Sequence, residues 1–257
     1  MCHSVNMAIK EIAESGIAFS TSVMVTCPWF TEAVEMLRQY HHVSTGVHLT
    51  LNAEWKGYRW GPVLGAAAVP SLVDSLGYFF PTRDAFMANN PNLNEVEREL
   101  RAQIQKALNA GLKPSYVDYH MGTAVNTPEL RAIVEKLASE FKLGISRYFG
   151  EQDAPSMYKV PYNQKVDSLV FNISKLENGK RWLLVCHIGL ETPEMDALTD
   201  LNTFGIPEMS KHRNAERKAL LSDKFRDALK TKNAKLLTYS DIIKSEGLKS
   251  IKRPMLH

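Results

Sequence analysis

Three of the eight histidines stand where parallel α/β folds concentrate chemistry. His48 lies late in an apolar run, within Gly46-Val47-His48-Leu49. His120 closes Tyr116-Val117-Asp118-Tyr119-His120, and His187 follows the continuous apolar run Trp182 to Cys186. The carboxyl ends of parallel strands point to one face, so residues distant in sequence meet there. Imidazole is a common ligand for divalent transition metals. Placement alone makes the three histidines candidates for one shared site, although each also suits a satisfied core or edge position. Asp118 lies two residues before His120, so on a strand both side chains face the same way. Its carboxylate suits orienting a metal-bound histidine, assisting a water, stabilising a cation or capping the next turn. Arg147 ends the short run Gly144-Ile145-Ser146-Arg147, where it suits polarising a substrate oxygen, holding a carboxylate or forming a structural salt bridge. His3, His41, His42, His212 and His257 lack strand-end placement and read as surface or capping residues.

The elements that would position these groups alternate along the chain. Val5, Ala8, Ile9, Ile12 and Ala13 recur at helical spacing, with Ser4 as the expected cap and Gly16 as the stop. Strands are expected over 17–25, 43–51, 116–119, 145–148, 182–186 and 236–239, the 182–186 run being buried on both faces. Helices are expected over 30–40, 95–109, 127–141, 166–176 and 215–230, and a closing helix capped by Ser240. Thr127-Pro128-Glu129 is a strong helix start, with a capping hydroxyl, Pro at the first position and an acid in the first turn. The stretch from Asn52 to Asn92 is rich in Gly, Pro and aromatics and reads as an excursion or lid. Its Trp55, Tyr58, Trp60, Phe79 and Phe80 suit either sugar stacking or core packing. Short strands alternating with longer helices imply βαβ units and a parallel sheet. No GxGxxG or P-loop follows a strand, which weakens a nucleotide-binding doubly wound fold.

Composition sets the bounds. The chain has 257 residues, 44% of them hydrophobic, and a net charge of +3 from 31 basic and 28 acidic residues. One domain spanning 1–257 fits this length. So small and unclustered a basic excess does not suggest nucleic acid, and no apolar run is long enough to cross a membrane. Three cysteines without a CxxC pair argue against a disulfide framework or a cysteine-rich zinc site; Cys27 and Cys186 read as small buried apolar residues. No signal peptide opens the chain, so a cytoplasmic location is expected on the sequence as it stands, while an upstream signal would change it.

The sequence resembles the YdjC/ChbG-type carbohydrate deacetylases. The matching stretches are Ser4-Val5-Asn6-Met7-Ala8-Ile9, Thr21-Ser22-Val23-Met24-Val25, Gly46-Val47-His48-Leu49-Thr50-Leu51, Val69-Pro70-Ser71-Leu72-Val73-Asp74 and Val117-Asp118-Tyr119-His120-Met121-Gly122. The run from Arg213 to Leu229 and the ending Leu236-Leu237-Thr238-Tyr239-Ser240-Asp241 also fit, so the resemblance covers nearly the whole chain. It implies a distorted TIM-like (β/α) barrel of mostly parallel strands. It also implies a divalent metal cation, magnesium or zinc, held by one Asp and two His, and hydrolysis of the acetamide on N-acetylated mono- or oligosaccharides. By position His48 and His120 are the two histidine ligands. His187 resembles the late histidine that protonates the leaving amine, although this chain has His187-Ile188-Gly189 where the family has His-Pro-Gly. Asp118 and Arg147 complete the candidate catalytic set.

The resemblance also implies a first strand ending in Asp-Asp, ahead of the segment matched by Met1 to Ile9. This chain opens with a helix. The expectation is therefore a barrel lacking its first strand, a site lacking its carboxylate ligand and base, and weak or absent activity. A non-catalytic sugar- or metal-binding barrel, and a metal hydrolase of another amide or ester, are the alternatives. A homodimer is compatible with the sequence, and neither nucleic acid nor membrane is expected as a partner.

Overall fold

The short apolar runs and longer amphipathic runs fold as an alternating series. A computed structural model describes residues 1–254. In chain order the elements are α1 (His3–Glu14), β1 (Ser20–Val23), α2 (Phe30–Leu37), β2 (Ser44–Leu49), β3 (Trp55–Lys56), α3 (Arg83–Ala88), α4 (Leu93–Asn109), β4 (Tyr116–Tyr119), α5 (Pro128–Phe141), β5 (Gly144–Ile145), β6 (Gln152–Asp153), α6 (Lys165–Lys175), β7 (Trp182–Leu183), α7 (Pro193–Asp196), β8 (Thr199–Asp200), α8 (Met209–Leu221), α9 (Asp223–Lys232) and α10 (Tyr239–Glu246).

The central sheet has the order β1-β2-β4-β5 with every pairing parallel. Each strand is laid beside the previous one after a crossover, without the reversal of a doubly wound sheet. The register sets His48 directly opposite Asp118, and Gly46 opposite Tyr116. Gly46 is required there, because a Cβ on it would lie 2.6 Å from the Tyr116 ring. The core runs through this sheet, with Val47, Leu49 and Val117 fully buried against Leu100 and Ile104 of α4 and Val134 and Leu137 of α5. Thr127 caps α5 through a bond from the Leu130 N–H, as its motif requires.

Among the described residues the strands form a mixed α/β fold with a parallel central sheet, consistent with the barrel-like α/β fold expected, and β3–β8 and β6–β7 pair as separate two-stranded sheets. Several local expectations are corrected. The 182–186 run is extended only over β7. It pairs with β6 outside the central sheet, and Val185 is 42% exposed, so it is not a strand buried on both faces. No strand forms at 236–239, because Thr238 and Asp241 make a reciprocal capping box that starts α10 at Tyr239. The long helix expected over 215–230 is two, broken where the Ser222 hydroxyl accepts the Phe225 N–H. Ser4 is not the cap of α1 but lies in its first turn. There its N–H and hydroxyl both donate to the Glu194 carboxylate at 3.0 and 2.7 Å, so a distant residue caps the helix.

The 52–92 stretch is a wall of the core. Trp55, Trp60, Val69, Leu72, Phe79 and Phe86 are buried in the same cluster as the central strands. The Glu99 carboxylate pins it from α4, accepting the Val63 and Leu64 N–H groups at 2.9 and 3.1 Å. Core packing therefore accounts for Trp55, Trp60 and Phe79, while Tyr58 and Phe80 are partly exposed. No helix among the described residues is long and apolar enough to cross a membrane.

Candidate metal and catalytic site

β2 and β4 end side by side, and their register delivers the site. His48 Nδ1 donates to Asp118 Oδ1 at 2.7 Å, and the second oxygen, Asp118 Oδ2, accepts the Ser22 hydroxyl at 2.8 Å. Two residues beyond β4 the chain turns sharply, with Met121 and Gly122 at φ 54° and 73°, and His120, just before this turn, faces His48. The His120 Nε2–H donates to Glu54 Oε2 at 2.7 Å. Glu54 is buried at the start of the 52–92 excursion that follows β2. Burial pushes its carboxyl up, but the His120 ring, the hydrogen bond to it and the more distant Arg213 outweigh this and hold it below the ordinary carboxylate range.

These two carboxylates fix the histidine tautomers. An ionised carboxylate only accepts, so Asp118 places the His48 proton on Nδ1 and Glu54 places the His120 proton on Nε2. The remaining nitrogens, His48 Nε2 and His120 Nδ1, then present lone pairs to each other at 3.3 Å. Two facing lone pairs repel unless something positive lies between them: a proton or a metal cation. Two imidazole nitrogens sharing a tetrahedral zinc at about 2.0–2.1 Å lie about 3.3 Å apart, so the pair fits a divalent transition metal. Each imidazole also has the carboxylate partner that metal-bound histidines commonly carry. Among the described residues no group of three or more His, Cys, Asp or Glu is arranged to hold a metal.

His187 is exposed, and its ring meets Tyr158 edge-on, with centroids 5.8 Å apart. Crowding by the surrounding protein, and then the Arg213 guanidinium, push its pKa down, so it is neutral at rest. Arg213 lies over the Trp55 ring at 5.5 Å, and its Nε is buried without a hydrogen-bond partner.

The structure thus brings His48, His120 and Asp118 into direct contact, while His187 lies on the segment after β7, with its ring against Tyr158. Arg147 lies elsewhere in its bonding. It adopts φ 73° at the end of β5, and its guanidinium is taken by Asp153 at 2.9 Å, the salt-bridge alternative. Of the other histidines, His3 pairs with Glu32, His42 bonds the Ala13 carbonyl and His212 packs on Tyr162; His257 lies outside the described residues. Cys27 is buried and Cys186 partly so.

Glu54, Ser22 and Arg213 were not legible as site residues. The one sequence signal for Glu54 is a lone charge within Leu51-Asn52-Ala53-Glu54-Trp55, a run otherwise suited to burial. A buried acid without a partner nearby in sequence needs one from elsewhere in the fold.

The family model described as YdjC-like protein matches residues 1–231. The carbohydrate deacetylase of Brevibacillus brevis is 34% identical over 152 residues, which are 58% of this chain and 56% of that protein. The carbohydrate deacetylase of Enterococcus faecalis is 31% identical over 160 residues, 61% of this chain and 59% of that one. The matches therefore span somewhat more than half the length of these curated relatives. A crystal structure from Enterococcus faecalis V583, described as a cellobiose-phosphate cleavage protein, superposes with a TM-score of 0.76 at 23% identity, covering 93% of each chain. That likeness shows the shared fold.

Proposed function

The chain belongs to the YdjC-like protein family, and on that premise we propose that it removes acetyl groups from N-acetylated mono- or oligosaccharides with a divalent cation, magnesium or zinc. The observation that carries the reading is the converging pair of lone pairs on His48 and His120, each set by its own carboxylate. The naming of similar proteins as carbohydrate deacetylases supports the substrate class.

His48 Nε2 and His120 Nδ1 would hold the cation. A divalent cation bound there would supply Lewis acidity toward an amide carbonyl and toward water. Asp118 and Glu54 hold the two rings; both oxygens of Asp118 are engaged, so it acts as a positioning carboxylate. His187 is the proton carrier. Neutral at rest, it can accept a proton as water attacks the acetamide carbon. The negative charge that develops beside it then favours the imidazolium form. The same ring returns that proton to the sugar nitrogen as the C–N bond breaks, giving a free amine and acetic acid, which releases its proton to solvent as acetate. Arg213 favours the neutral resting form by its charge. Arg147, held by Asp153, is assigned a structural role.

The test is acetate release from a panel of N-acetylated sugars, with zinc, magnesium or chelator added. Metal-dependent release that falls in His48→Ala and His120→Ala is expected. No release with any cation, or release unaffected by chelator, would sink the proposal.

A further inference from the structure

Lys165 is fully buried, an unusual place for an ammonium group. It sits on the apolar stripe of α6, four residues before Leu169 and eight before Ile173. Its Nζ has three acceptors, matching its three protons: the Met157 carbonyl at 2.6 Å, the Tyr158 carbonyl at 3.2 Å and Glu216 Oε1 at 2.8 Å. Glu216, on α8, is also buried, and its other oxygen accepts the His187 N–H at 2.7 Å. One ion pair therefore ties together α6, α8, the segment bearing Tyr158 and the segment bearing His187. α8 holds this last segment a second time, where the Arg213 carbonyl accepts the Gly189 N–H at 3.4 Å.

A pair this deep is a poor source of net stability, because desolvating both charges cancels much of their attraction. Its connections suggest a different use. Tyr158 and His187 meet with their rings edge-on, and each is fixed through its backbone by one half of the pair. We propose that the buried Lys165–Glu216 pair is a positioning device for His187. It holds the His187 backbone and the Tyr158 wall in register, so that the imidazole keeps its place against the Tyr158 ring. The catalytic part of this inference rests on the proton-carrying role assigned above to His187.

Two variants of the full chain test it. Lys165→Met with Glu216→Leu replaces the whole pair by apolar groups of similar volume, which avoids leaving one buried charge alone. Glu216→Gln keeps the shape and withdraws one acceptor, so it tests the same point should the double variant fail to fold. Circular dichroism and a cooperative melt establish folding. In a folded variant the His187 amide should exchange with deuterium at least about tenfold faster than in wild type, since the buried acceptor that protects it is gone. The kcat for acetate release from N,N'-diacetylchitobiose should fall at least about tenfold with KM and zinc stoichiometry unchanged, as expected when a proton carrier is displaced and binding is not. An unchanged exchange rate at His187 overturns the positioning role, and faster exchange with unchanged kcat overturns its catalytic part. Should the wild-type chain release no acetate, the deacetylase reading fails. The exchange measurement then still decides whether the pair holds His187.

Discussion

His48 Nε2 faces His120 Nδ1 at 3.3 Å, and the other nitrogen of each ring donates to its own carboxylate at 2.7 Å. Neither ring can turn its proton toward the other without giving up that carboxylate. The pair is preorganised for a positive partner.

Zinc titrated into the purified chain should bind with one site, and binding should be lost in His48→Ala and in His120→Ala. Acidification should weaken binding in the wild type, because a proton and a cation compete for the same lone pairs. Calorimetry or metal analysis checks both points. Stoichiometric zinc in either alanine variant would remove that histidine from the ligand set.

Asp118→Asn and Glu54→Gln keep the side-chain shape and remove the charge. Each should lower metal affinity by about 10- to 100-fold, the usual effect of losing the group that orients a ligating histidine. Affinities equal to wild type would mean that the carboxylates do not set the rings.

His187→Ala should reduce acetate release by about 10²- to 10⁴-fold, the range for losing a positioned acid–base group, and leave zinc binding intact. Arg147→Ala should change neither. Its partly exposed bridge to Asp153 contributes at most about 1 kcal/mol. Steady-state kinetics on the two variants side by side separates these roles.

The Glu54 carboxyl is held below its ordinary value of 4.5 in the folded metal-free chain. Between the lowered value and 4.5 the unfolded chain binds more protons at this group than the folded chain does. Its contribution is therefore present above 4.5 and is lost as the pH falls through the folded value. The stability difference between wild type and Glu54→Gln, measured by denaturant melts, should shrink on acidification below that point. A difference independent of pH would contradict an ionised Glu54 accepting the His120 Nε2–H.

Gly46→Ala would put a methyl group against the Tyr116 ring, 2.6 Å from its nearest atoms. Overpacking of this kind costs about 1–3 kcal/mol, and the strain falls two residues before His48. Thermal melts should show the loss, and a melt matching wild type would mean that the ring moves aside freely.

Much of the framework was legible along the chain. The 116–119 run and the 127–141 helix formed where their periodicity and capping residues placed them, because those signals are local: a helix end needs only Thr127 and the next few residues. The failures were also local contests decided by a stronger neighbour. Thr238 and Asp241 start a helix inside a segment that is apolar enough for a strand, and Ser222 divides an amphipathic run that periodicity alone joins.

The sequence by itself determined that His48 and His120 stand at the ends of strands in a parallel α/β fold. It could not determine their partners. Asp118 pairs with His48 on the neighbouring strand rather than with His120 two residues away, because sheet register sets side chains opposite one another and register is a property of two strands. Glu54 reaches His120 from an excursion whose course is set by Trp55, Trp60 and Phe79 packing into the core. Lys165 and Glu216, 51 residues apart in sequence, find each other from two different helices. Local patterns report how one segment meets solvent and core. Which buried polar groups satisfy one another depends on contacts between distant segments, and only the tertiary structure decided those.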